Sequence, residues 1–171
     1  ADIAKARAVV LTTITQGGVP EAVCRIIMAG MVSIGSFERR SLRLARLLAQ
    51  LPANARSHIP ANVNWVQLLK AQARITAVAP VEALNALEQM LPDTERRELA
   101  LALSAAVMMI EPTLANPRSE IIEFLIGTLG VDPERVIQLA NVLLEKNPVA
   151  LKATKDAIRR VKRSEERRVG K

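Results

Sequence analysis

With 171 residues, a net charge of +7 and half its side chains apolar, the chain has enough material to bury one substantial core. Aromatic residues make up only 2 %, which argues against nucleic-acid recognition by base stacking, and the lone cysteine, Cys24, excludes a disulfide framework or a Cys-rich metal site. The charge is also localised: Arg159 to Lys171 hold seven basic and two acidic side chains, so the 158 residues before them are close to neutral.

Helical spacing of apolar residues recurs almost throughout. Ile3, Val10 and Ile14 share a face in the first segment. Gly17-Gly18 interrupts it, and Pro20 opens the next helix at a position that needs no backbone donor. Val23, Ile26, Ile27 and Met31 mark the inward face of that helix, with Gly35 at its turn. Leu44, Leu47, Leu48 and Leu51 follow on a third helix whose other side carries Arg39, Arg43 and Arg46.

The stretch from Pro52 to Pro60 has no period and is predicted as a loop. Trp65, Leu68, Leu69 and Ile75 then resume the pattern, and Pro80 starts a short helix with Leu84, Leu87 and Leu91. Asp93 is placed to cap a long helix bearing Leu99, Leu103, Ala106, Val107 and Ile110. Prolines at 112 and 117 bracket a turn, after which Ile121, Ile122, Leu125 and Leu129 form a stripe ending near Gly130. Asp132-Pro133 and Asn147-Pro148 are start signals for two further helices. Their stripes are Val136, Leu139, Ala140 and Leu143, then Leu151, Thr154, Ile158 and Val161. No segment alternates with period two. The prediction is an all-α, compact bundle of about eight or nine helices built from helical hairpins.

The run from Leu99 to Ile110 is shorter than the roughly 20 residues that span a bilayer, and no charged-then-apolar export signal opens the chain. A cytoplasmic location is therefore expected. A first residue of Ala rather than Met fits a piece of a longer protein.

Ile26 to Leu51 echoes Leu103 to Gly130: each joins a small-residue and Met-rich helix, a tight turn and a strongly aliphatic second helix. These hairpins resemble the tellurite-resistance TerB-like family. The likeness is carried by GGVPEAVCRIIMAG (Gly17 to Gly30), FERRSLRLARLL (Phe37 to Leu48) and LLKAQARITAVAPVEALNALEQMLPDTERRELAL (Leu68 to Leu101). It is nearest to bacterial proteins in which a TerB-like region follows an α/β-hydrolase domain similar to polyhydroxyalkanoate synthases. The resemblance implies a TerB-like domain over residues 1–145, a C-terminal helix over 146–162 and a basic tail over 163–171, disordered or artefactual. KRSEERRVGK (Lys162 to Lys171) is similar to translated sequencing-adaptor read-through. The implied function is that of a non-catalytic interaction or accessory domain. Its partner would be another protein or an N-terminal domain of the same chain.

Two other readings remain open. Amphipathic helices such as Leu42 to Leu51 suit a module adhering to a membrane or granule surface. LLEKNPVALKATKDAIRRV (Leu143 to Val161) is similar to the C-terminal helices of enoyl-CoA hydratase-like enzymes, which would make the chain an enzyme fragment.

The chemistry-bearing residues are few. His58 is the one histidine, beside Ser57 in the loop, and no nucleophile motif accompanies it; it reads as a solvated loop residue, and no catalytic residue or cofactor is assigned. Cys24 reads as a buried, inert thiol. TerB-like proteins imply a cation held by turn acids. Here Ile34 takes that place in the first hairpin, and Glu111, Glu120 and Glu123 in the second are too few oxygens for calcium, so no metal is expected. Arg39, Arg43 and Arg46 are the candidates for partner binding, against the plainer reading of a solvated helix face.

Overall fold

Two helices of this computed structural model are buried on every side, and the rest of the chain is arranged to cover them. The structure describes residues 2–31, 37–52, 55–110 and 117–169. In chain order the helices are α1 (Asp2–Thr13), α2 (Val19–Met31), α3 (Phe37–Ala49), α4 (Trp65–Val78) and α5 (Pro80–Asn85). After them come α6 (Leu87–Met90), α7 (Thr94–Ile110), α8 (Pro117–Leu129), α9 (Pro133–Leu143) and α10 (Pro148–Val169). The described residues contain no strand, and the all-α bundle predicted from periodicity is borne out.

α2 is buried without interruption from Ala22 to Met28, and α7 from Glu98 to Met108. Helices with no solvent-facing side belong in the interior. They pack on each other, α4 covers α2, α9 covers α7, and α10 lies against α7, α8 and α9. Gly30 lets the two central helices approach, since a Cβ there would meet Met108 Sδ at 2.8 Å.

Local chemistry sets where the helices begin and end. Gly17 adopts a φ of +102°, open to glycine at little cost, and Glu21 turns back to accept from the Gly18 backbone N–H at 3.3 Å. Asp93 accepts from Arg96 N at 2.8 Å, Asp132 from Glu134 N at 3.0 Å and Asn147 from Ala150 N at 3.1 Å. Each is an N-cap that the sequence signalled. Asn64 does the same for α4 through Gln67 N at 3.2 Å, a cap that the apolar pattern did not flag. Gly130, at φ +65°, ends α8, and Val131 N donates back to Ile126 O at 3.3 Å in a Schellman closure.

Two expectations need correction. α10 continues to Val169 instead of stopping at 162, so the tail predicted over 163–171 is helical through that residue. No Pro or Gly interrupts it before Gly170, and Arg and Glu are good helix formers. Ile3 has the helical phase of Val10 and Ile14 but is 83 % exposed. Val10 and Ile14 dock on Ala79, Ala83 and Ala86, whereas the first turn of α1 lies beyond that small cluster.

Arginines tie helix ends together. Arg25, on α2 and fully buried, donates through Nε to Gln72 Oε1 at 2.8 Å and through Nη1 to Ile14 O at 2.7 Å and Ala83 O at 3.1 Å. One guanidinium thus joins the end of α1, the end of α5 and the middle of α4. Arg97 treats α6 and α8 similarly, donating to Glu88 O, Leu91 O and Leu129 O. Arg56 donates to Ala49 O and Leu51 O past the end of α3. The negative end of each helix dipole and the unused terminal carbonyls suit a forked cation.

α1 is the least anchored element, with Val10 its one buried residue, and it is also tied by an Arg7–Glu82 ion pair to α5. The Glu82 carboxyl lies below its ordinary value, chiefly through a hydrogen bond from its own backbone N–H and then through Arg7. A lowered folded-state value means the contribution is present above the ordinary glutamate range and is lost as pH falls through the folded value. Lowering pH from about 5 to about 3 is therefore expected to reduce hydrogen-exchange protection in α1 before the core. The same acid sensitivity of α1 in Glu82→Gln would refute this.

Candidate functional site

A concavity lies between the N-terminal half of α7, the length of α9 and the loop at 55–58. Asp93 fixes the start of α7, and the helical repeat then sets Glu95 and Glu98 three residues apart on one face, with Leu99 beside them. On α9, Arg135, Leu139, Val142 and Leu143 follow at three- and four-residue intervals and form the opposite wall. Ala55 and Ser57 close one end. The enclosed volume is about 350 Å³, within the range of cavities that hold small ligands or single side chains.

The loop that closes this cleft is itself held. Ala55 and Ile59 are buried, and turns from Ala55 N to Pro52 O (2.9 Å) and from Ile59 N to Arg56 O (3.0 Å) brace it. His58 is half-buried, with Nε2 3.3 Å from Glu95 Oε1. The contact is not aligned as a hydrogen bond, and among the described residues Nε2 is buried without a hydrogen-bond partner. No hydrogen bond joins Ser57 to His58 among the described residues, so a nucleophile–base relay is not assembled there.

Glu98 is the unusual group. It is only 8 % exposed yet lines the cleft. Its one hydrogen bond among the described residues comes from Arg135 Nε at 3.4 Å, a long contact from a side chain that is 60 % exposed. Arg135 is steadied at the rim by donating from Nη1 to Gln138 Oε1 at 2.9 Å.

The residues singled out by sequence lie elsewhere. Glu111 and Ile34 lie outside the described residues; Glu120 is exposed and Glu123 half-buried on α8. No cluster of three or more possible metal ligands occurs among the described residues. Arg43 and Arg46 are exposed on α3, while the side chain of Arg39 lies outside the described set. Cys24 is fully buried, and burial, aided by the Glu21 carboxylate, pushes its thiol well above the ordinary range.

Glu95, Glu98 and Arg135 escaped the sequence reading. A signal for Glu98 was present, because it shares its helix face with Ala102 and Ala105, both fully buried. A carboxylate on an interior stripe is worth notice for that reason.

No protein-family model matches the chain, and neither a curated protein nor a solved structure matches it. Among the described residues no helix is long and apolar enough to cross a membrane.

Proposed function

We propose that the chain is a non-catalytic helical interaction domain whose working surface is the cleft between α7 and α9. The observation that carries this reading is the cleft itself: about 350 Å³, walled by Leu99, Leu139, Val142 and Leu143, with Val142 left exposed at its edge. Apolar walls in an open concavity gain by taking up an aliphatic group from a partner.

The proposed build is TerB-like. Its support is that α2 and α7, the first helices of the two echoing hairpins, occupy equivalent central places, each covered by a later helix. The proposed context is a cytoplasmic accessory role beside a polyhydroxyalkanoate-synthase-like hydrolase domain. The partner in this reading is that domain or another protein.

Mapping with n-pentanol tests the working surface. Methyl NMR shifts are expected at Leu99, Leu139, Val142 and Leu143, and to vanish in Leu139→Glu. Shifts scattered evenly over the apolar surface, or none at all, would remove the cleft from consideration.

A further inference from the structure

We propose that the α7–α9 cleft is a receptor for a lysine side chain presented by a partner protein, with the ammonium on Glu98 and the methylene stem along Leu139 and Val142. This rests on the cleft being the working surface, and it adds what the occupant must carry.

Glu98 lines the cleft with a largely buried carboxylate. An ionised carboxylate has about four acceptor positions, so a largely buried one that lines a cleft can still take further donors. Among the described residues Glu98 has one, at 3.4 Å, from an arginine that lies mostly in solvent and is also bonded to Gln138. The second carboxylate at the same mouth, Glu95, is 76 % exposed on its side chain. Two carboxylates against one guanidinium leave the polar end of the cleft anionic within a chain of net charge +7. Local charge therefore favours a cation although the whole molecule does not.

The shape of the lining narrows the chemistry. The wall beyond Glu98 is aliphatic, with Leu99, Leu139, Val142 and Leu143 and no aromatic ring. A ring-bearing or quaternary ammonium ligand would lack the aromatic faces that usually hold it. An inorganic cation would find too few oxygens, since no group of three acidic or other metal-binding side chains forms among the described residues. What fits is an apolar stem ending in hydrogen-bond donors, which is the amphipathic design of lysine. Its ammonium supplies three donors to a carboxylate that has one, and its methylenes cover the aliphatic wall.

Norleucine matches lysine without the charge, so a pair of derivatives isolates the claim. Nα-acetyl-lysine-N-methylamide and Nα-acetyl-norleucine-N-methylamide are titrated into the protein and followed by the Leu139 and Val142 methyl signals. The lysine derivative is expected to bind about tenfold more tightly, the difference that a charge-assisted hydrogen bond makes. Glu98→Gln should erase that preference, whereas Glu88→Gln, exposed on α6, should keep it. Arg135→Gln, which removes the competing cation at the rim, should strengthen lysine binding several-fold, and weaker binding there would count against the proposal. Equal binding of the two derivatives would leave the apolar cleft in place and overturn the cation. Binding of neither would overturn the cleft reading as well. Uptake of n-butylammonium with exclusion of the lysine derivative would assign the site to a free amine and also overturn the proposal.

Discussion

Replacing Arg25 by alanine is expected to destabilise the protein by about 3–5 kcal/mol, from a buried cavity and from acceptors left without their donor. The guanidinium is fully buried and among the described residues has neutral acceptors only: Gln72 Oε1, Ile14 O and Ala83 O. Burial pushes its pKa down to about 10, which still leaves it charged at neutral pH. Removing it strips the donor from two backbone carbonyls and one buried amide, and opens a cavity where α1, α4 and α5 meet. Arg25→Met fills most of that cavity and relieves the cost of burying a charge, so its loss should be smaller, about 1–3 kcal/mol. Nη2, which among the described residues is buried without a hydrogen-bond partner, adds to what methionine relieves. Urea unfolding followed by circular dichroism reads both variants. Equal losses for alanine and methionine would show that carbonyl bonding, not volume, is the function of this side chain. An alanine variant within about 0.5 kcal/mol of the parent would show that the clamp contributes nothing.

The helix boundaries were legible because their causes are local. Asp93, Asp132 and Asn147 act on backbone donors two or three residues away, and Gly130 acts through its own φ. A single sequence contains that information in adjacent letters. Arg25 is the opposite case. Its acceptors stand 11, 47 and 58 residues away, and in VPEAVCRIIM it reads as the polar side of an amphipathic helix. Only the decision to place α2 at the centre makes that side interior. The cleft was hidden for the same reason: Glu98 and Arg135 are 37 residues apart and meet because α9 packs on α7. The phase of α1 was readable and its depth was not, as Ile3 shows, since periodicity gives a direction around a helix but not whether a neighbour stands there. The arginines of α3 stand out as candidates for partner binding because charge on a helix face is visible in sequence. A half-satisfied carboxylate between two helices is visible only once they are packed.

Leu103→Ala is expected to cost about 4 kcal/mol, near the upper part of the range for deleting a buried leucine side chain. The cost of such a change depends on how far the surroundings collapse into the space left behind. Leu103 is fully buried at the middle of α7, within the run from Glu98 to Met108 that has no solvent-facing side. Helices α2, α8, α9 and α10 all pack on α7, so a shift that fills the cavity from one side opens a gap on another. Close packing over several helices therefore resists relaxation. Leu84, which is half-buried on the short α5, supplies the contrast: solvent and a small element can adjust there, and Leu84→Ala is expected to cost about 1–2 kcal/mol, a common size for single substitutions. Both losses are measured as a lower urea midpoint with unchanged slope, because neither variant alters how much surface unfolding exposes. If Leu103→Ala cost no more than Leu84→Ala, α7 would not be the central helix on which the other layers close.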